Sequence, residues 1–395
     1  MSKNIDVIVG ARPNFIKVAA ILKELRARYE NEADIRCRLV HTSQHYDAKM
    51  SDVFFEELNM PSPDINLNVG NINSGAQIAT IIARYSEVLE RSKPDMVVVS
   101  GDVNSTVACA LATKKTDASI PLVHVEAGLR CGDRSMPEEV NRILTDSISD
   151  YFFTTSQTAS DNLIHEGIDA HKIFFVGNTM IDTLFNNESR FRQPAIWHEL
   201  GLETQKYFIL TLHRQANISD AHKMTTLLNE IAQAAEGTTI IFPMHPHTAK
   251  MIEQYGIELA ANVIATEPFG YLEFNFLVKN AKAVITDSGG ISEETTVMNV
   301  PCMTLRDYTE RPETCTIGTN VLLGSQPDKI VDSFRKLKAG AWQLGKRPEL
   351  WDGKAASRIV DKLIEILLQQ NRVLKHFDPN AALINEIQVA AARLN

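Results

Sequence analysis

The chain has no apolar run long enough to cross a membrane, no C-x-x-C pair, no G-x-G-x-x-G turn and no biased tract. Each absence removes a class of protein. A spanning helix needs about 20 consecutive apolar residues, so no membrane association is expected. The five cysteines (Cys37, Cys109, Cys131, Cys302 and Cys315) are odd in number and scattered. They fit reduced thiols in a cytoplasmic protein better than a disulfide framework or a zinc site. The start, MSKNIDVIVG, enters a strand directly and lacks the apolar region of a signal peptide. Positive charge is also short: the formal net charge is −9, which argues against a nucleic-acid partner. A small anion is still admissible, because backbone amides and a few arginines bind one locally. Histidines 41, 45, 213, 245 and 247 follow strand-like runs in separate segments and form no H-E-x-x-H pattern. No metal and no cofactor are expected.

What is present is a regular alternation. At 395 residues the chain exceeds one ordinary core and fits two domains. IDVIV (5–9), CRLVHT (37–42), MVVVS, PLVHV, DYFFTT and KIFFV read as buried strands separated by helical patterns, including one from Asp47 to Leu58 and one from Gln77 to Arg91. A second series follows: KYFILTLH (206–213), TTIIFPMH (238–245), NVIATE (262–267), AKAVITDS (281–288), PCMTLR (301–306) and TNVLL (319–323). The polar, Pro-containing stretch 186–205 reads as the linker between them. The expected fold is α/β, with two Rossmann-like domains facing each other across a central cleft. After Pro348 the pattern is helical, with amphipathic runs at 352–370 and 380–393.

Three carboxylates lie just beyond hydrophobic runs within forty residues: Asp102 in GDVNST, Glu126 in HVEAGLR and Glu138 in MPEEVNR. The carboxyl ends of parallel strands face the ligand crevice, so Asp102 and Glu126 are expected in one cleft. Clustered acids repel and shift one another's pKa, an arrangement suited to proton transfer. Simpler roles stand beside this one. Asp102 could cap a helix, Glu138 or Glu139 could favour the first turn after Pro137, and Arg142 at i+4 could pair with Glu138. GARPNFIK (10–17) puts Arg12 and Lys17 at a helix amino terminus, a place for an anion or for a solvated turn. In TDSGGISEE (286–294) a strand ends at Asp287, two glycines follow and a helix starts near Ile291. Ser288 and the next amides suit a diphosphate, and Glu294 suits a vicinal diol; an ordinary turn is the alternative. His213 and Arg214 follow a strand, and His213 suits a proton-holding or a structural role. The loop RDYTERPET (306–314) carries Arg306, Glu310, Arg311 and Glu313, which could also pair among themselves.

Together GARPNFIK, TSQHYD (42–47), GDVNST, HVEAGLR, MPEEVNR, VGNTMID (176–182), His213-Arg214, SGGISEE and RDYTERPE resemble the non-hydrolysing UDP-N-acetylglucosamine 2-epimerase family, in family order over about residues 5–315. The resemblance implies a GT-B-like fold with UDP held mainly by the second domain. It places 1–185, joined by a returning helix at 370–395, in one domain and 186–369 in the other. It implies an isomerase that interconverts UDP-GlcNAc and UDP-ManNAc for surface polysaccharide synthesis, eliminating UDP to leave 2-acetamidoglucal and then re-adding it. It maps Asp102, Glu126, Glu138 and His213 onto catalytic groups. Arg12, Lys17, Gln44, His245, Tyr271, Ser288, Gly289, Gly290, Glu294 and Arg311 fall on substrate contacts. A homodimer is the family habit. The chain departs from the family at Gln215-Ala216, where Arg-Glu is common, at Ser292 in place of Gln, and at Gly70-Asn71-Ile72-Asn73, near where some members carry a regulatory Arg-Gln pair. TSQHYDAKMSDVFFEELNM also resembles the branch acting on UDP-2,3-diacetamido-glucuronate. A glycal-hydrolysing relative, a GT-B glycosyltransferase and a nucleotide-sugar sensor are the competing readings.

Overall fold

Each short apolar run becomes a strand, and the strands assemble into two parallel sheets. The computed structural model describes residues 3–29, 35–44, 54–70, 72–324 and 326–376. The first sheet holds β1 (Lys3–Val9), β2 (Ile35–His41), β3 (Ile65–Asn66), β4 (Met96–Ser100), β5 (Leu122–Val125), β6 (Tyr151–Thr154) and β7 (Ile173–Phe175), in the order β3-β2-β1-β4-β5-β6-β7. The second holds β8 (Phe208–Thr211), β9 (Ile240–Pro243), β10 (Val263–Thr266), β11 (Ala283–Thr286), β12 (Cys302–Thr304) and β13 (Asn320–Leu322), in the order β10-β9-β8-β11-β12-β13. All pairings are parallel. β4 and β5 are buried along their whole lengths because helices cover both faces of the sheet.

Both orders reverse direction at the sheet's middle: between β1 and β4 in the first, and between β8 and β11 in the second. Loops leaving a reversal point diverge to opposite faces and open a crevice at the strands' carboxyl ends. The turns after β1, β4, β8 and β11 carry Arg12, Asp102, His213 and Ser288. Four expected site residues therefore come from the two crevices that the topology opens.

Two expectations change. The segment 186–205 is not a bare linker: it contains the end of helix Thr179–Asn187 and a short helix, Ala195–Glu199, opened by Pro194. The return to the first sheet also begins well before residue 370, inside the stretch 186–369. Helix Ala355–His376 buries Ala356, Ile359, Val360, Leu363, Ile366 and Leu367 in the same core as Phe15, Val18 and Leu22 of helix Arg12–Tyr29. Its apolar stripe recurs at helical spacing, and each fully buried Leu or Ile there contributes about 1.5–3 kcal/mol. Most of the helix expected from Asp47, together with His45, Asn71 and the run 380–393, lies outside the described residues. Among the described residues the five cysteines are free, and no helix is long and apolar enough to cross a membrane.

Candidate active site

The first wall is built around Glu126. Its backbone N–H is held by the Phe153 carbonyl at 2.9 Å, and its φ is +70°, a left-handed conformation that a side-chain-bearing residue adopts only under constraint. The turn that follows β5 thereby aims the carboxylate back over β4, where it pairs with Lys17. Both side chains are more than nine-tenths buried. Gly101, with φ +69°, makes this contact fit: a Cβ there would lie 2.7 Å from Lys17 Nζ and 3.3 Å from Glu126 Oε2.

Asp102, one residue on, is half-buried and pairs with Arg142. Burial alone would raise its pKa; Arg142, then Lys17, outweigh that and hold it below the usual carboxylate range. It caps nothing: helix Asn104–Thr116 starts after Val103 without a side-chain cap, and Gln44 Oε1 instead accepts from Ser105 N–H at 3.1 Å. The acids are therefore interleaved with cations rather than left to repel one another.

The expected Glu138–Arg142 pair does not form. Arg142 binds Glu139 at 2.6 Å, and Glu139 is buried where it also accepts the Cys131 and Gly132 amides. Position i+3 points back over the buried face of helix Pro137–Ile148, whereas Glu138 is exposed. Glu138 lies within electrostatic reach of Arg214 on the opposite wall.

The second wall comes from the crevice between β8 and β11. His213 Nδ1 meets Asp287 at 2.7 Å, and Asp287 is fully buried while the His213 side chain is 44% exposed. Burial pushes the Asp287 carboxyl up, but the His213, Arg214 and Asn217 contacts hold it below its ordinary value. The carboxylate thus fixes the imidazole through Nδ1 and leaves Nε2 as the edge for a substrate. Helix Gly289–Met298 starts at Gly289, two residues earlier than expected, and Ser288 makes no side-chain cap. Its first amides are consequently open to an anion. Glu294 is buried and accepts from Tyr271 Oη at 3.0 Å; burial, helped by Glu293, pushes its pKa up to about 7. His245 sits at the amino end of helix Pro246–Tyr255, where it caps His247 N–H. Arg12 stacks 4.3 Å over the Phe54 ring on the first wall.

Arg311 joins the walls. It binds Glu126 from the first sheet, Glu293 from helix Gly289–Met298, and Glu310 at 2.5 Å. The loop after β12 is in part internally paired, as its sequence allowed, but its main contact crosses the cleft. Glu57 makes a second crossing: its carboxylate accepts the Tyr271 N–H at 2.5 Å and Arg192 at 2.8 Å.

Four groups here carried no assigned role in the sequence: Arg142 as Asp102's partner, Asp287 behind His213, Glu293 beneath Arg311, and His124. The His124 ring spans Asp146 (2.6 Å) and the Gly101 carbonyl (2.8 Å), tying the turn before Asp102 to helix Pro137–Ile148. Only Asp287 had a visible signal, as the carboxylate just beyond a strand-like run and one residue before Ser288 and two glycines. Among the described residues no cluster of His, Cys, Asp and Glu is arranged to hold a metal ion.

This geometry sets paired acids opposite a histidine and an uncapped helix end. A family model for UDP-N-acetylglucosamine 2-epimerase matches residues 27–364. The chain belongs to the UDP-N-acetylglucosamine 2-epimerase family. It is 40% identical over 368 residues to a UDP-N-acetylglucosamine 2-epimerase of Methanocaldococcus jannaschii, covering 90% of this chain and 97% of that relative. It is equally 40% identical, over 370 residues, to a UDP-2,3-diacetamido-2,3-dideoxy-D-glucuronate 2-epimerase of Pseudomonas aeruginosa, covering 91% and 99%. Among solved structures it matches the M. jannaschii UDP-GlcNAc 2-epimerase in complex with UDP-GlcNAc and UDP, with a TM-score of 0.82 at 38% identity over 92% of this chain and 99% of that one. The family's enzymes are isomerases, and the two sheets have its GT-B-like arrangement.

Proposed function

We propose that this epimerase interconverts UDP-GlcNAc and UDP-ManNAc, holding UDP on the second wall and moving a proton at C2 from the first. One observation carries the reading: Glu126 is strained into the cleft between Lys17 and Arg311, opposite the open amino terminus of helix Gly289–Met298. The C2 proton is weakly acidic, so its removal needs a placed base while the C1–O bond loosens. Asp102, Glu126 and Glu138 supply carboxylates for that transfer and for the cationic ring that develops. On return, UDP re-bonds to C1 while an acid delivers the proton to the opposite face of C2, and that change of face inverts C2. His213, fixed by Asp287, is placed to hold a proton near the departing phosphate. Ser288, Gly289 and Gly290 form the diphosphate cradle. Glu294, with Tyr271, takes the ribose diol, and Arg12, Lys17, Gln44, His245 and Arg311 complete the contacts. The same reading assigns residues 1–185 and the returning helix to the catalytic unit and the second sheet to UDP binding. It makes the enzyme a cytoplasmic homodimer that feeds surface polysaccharide synthesis.

The test is incubation with UDP-GlcNAc alone in D₂O, followed by NMR. UDP-ManNAc carrying deuterium at C2 is the expected product. Free N-acetylmannosamine would indicate a hydrolase, and no change without an acceptor would sink the epimerase reading for this sugar. The P. aeruginosa relative supports a second reading, in which the sugar is the 2,3-diacetamido-glucuronate. Running both nucleotides side by side separates the two by kcat/KM.

A further inference from the structure

Arg306 is a buried cation that the preceding reading does not use. It follows β12, the neighbour of β11 whose end supplies Ser288. The residue is 6% exposed. Its Nη2 donates to Glu310 at 2.7 Å, while its Nη1 is buried without a hydrogen-bond partner. A Cβ built on Gly289 would lie 2.8 Å from Glu310 Oε1, 3.1 Å from Arg311 Nη1 and 3.5 Å from that Arg306 Nη1. The unused donor therefore lies beside the first residue of helix Gly289–Met298, next to a carboxylate that both arginines already bind. The amides of that first turn have no side-chain cap either. Arg214 is close enough to Arg306 for the two like charges to oppose each other, which with burial lowers the Arg214 pKa. Two guanidinium groups and a helix amino terminus thus converge on one spot. A buried charged donor without an acceptor is costly, and a protein tolerates it where a ligand completes the bond.

We propose that Arg306 is a further catalytic residue, whose Nη1 contacts the diphosphate seated on helix Gly289–Met298 and stabilises it as it leaves. The proposal rests on the nucleotide-sugar reading above. In the elimination the C1–O bond breaks and both its electrons remain on the phosphate oxygen. The C2–H pair becomes the C1=C2 bond, and the proton passes to a carboxylate of the first wall. The diphosphate therefore gains one negative charge in that step, and a guanidinium fixed at its oxygen interacts more strongly with the transition state than with the ground state. Glu310 keeps Arg311 as a partner if Arg306 is removed, so substitution does not leave that carboxylate alone.

The experiment compares wild type, Arg306→Gln and Arg306→Lys. It measures UDP affinity by titration calorimetry, uridine affinity by saturation-transfer NMR, and kcat and KM for epimerisation. Loss of one charged hydrogen bond predicts UDP binding about 10–100-fold weaker for Arg306→Gln. Uridine binding should stay unchanged, and kcat should fall by a larger factor than KM rises. Arg306→Lys keeps the charge without the fork and should fall between the two. Wild-type affinity for UDP in the Gln variant, or equal losses for UDP and uridine, overturns the proposal. If the Gln variant does not fold, the Lys variant decides by the same UDP-to-uridine comparison. A wild-type protein that binds UDP but does not epimerise UDP-GlcNAc defeats the substrate reading, while the binding comparison still tests Arg306. A wild-type protein that prefers UDP no more than uridine defeats both.

Discussion

Replacing Glu294 by Gln should make the unliganded protein more stable at pH 8 and, in the same molecule, a poorer binder of UDP. Glu294 is 4% exposed, accepts from Tyr271 Oη at 3.0 Å and lies beside Glu293. Burial is the main reason its pKa rises from the ordinary 4.5 to about 7. The sign follows from proton binding. Between those two values the folded protein holds a proton that the unfolded chain has released, so stability is full below the lower value and is lost as pH rises. A span of about 2.5 pH units at about 1.4 kcal/mol each amounts to roughly 3 kcal/mol by pH 8. Gln has the same shape, still accepts from Tyr271 and never ionises, so it escapes that loss. If a unit of about 190 residues unfolds cooperatively, roughly 3 kcal/mol corresponds to about 7 °C in Tm. Differential scanning calorimetry from pH 5 to pH 8 should show the gap between variant and wild type opening as pH rises and closing near pH 5. Titration with UDP should show affinity about 10–100-fold weaker, because an ionised acceptor for the ribose hydroxyls is gone. A gap independent of pH would refute the ionisation argument, and unchanged UDP affinity would refute the assigned contact.

Three further outcomes are expected. Asp102→Asn should lower turnover by about 10²–10⁴-fold, the range for a lost general acid or base, with UDP affinity nearly unchanged; loss of UDP binding in a well-folded protein would contradict its role. Gly101→Ala should cost about 1–2 kcal/mol for the left-handed backbone, roughly 2–5 °C in Tm, and should depress turnover more than that loss explains by pushing Lys17 off Glu126; full activity would show that their contact is dispensable. Asp287→Asn should leave UDP binding in place but reduce kcat and shift the pH–rate profile, since it removes the carboxylate that orients His213; a profile identical to wild type would remove His213 from the proton transfer.

Much of the fold was legible because its signals are local. Every run read as a strand forms one; the strand that was not legible is the two-residue β3, Ile65–Asn66, which has no apolar run of its own and exists only by pairing with β2. The doubly wound parallel class followed from the alternation with helical patterns. The candidate site was legible in part, since residues beyond strand ends can be named without knowing the sheet order. Their partners could not be named. Arg142 seemed matched to Glu138 by spacing, yet the buried face of its helix gave it to Glu139 and Asp102.

The sequence by itself determined the strands, the turns after them and the chemical kinds of group that those turns carry, because backbone preference and hydrophobic period act over a few residues. The tertiary structure decided which charges meet. Lys17, Glu126 and Arg311 come from three distant segments, and Glu126 reaches both cations only because β4, β5 and β6 pair in register and bend its backbone to a positive φ. Contact across a cleft depends on strand order and closure of the whole chain, and no local pattern encodes that. Of the acids that looked mutually repelling in the sequence, Asp102 and Glu126 are each paired in the fold with cations, Arg142 for the one and Lys17 and Arg311 for the other.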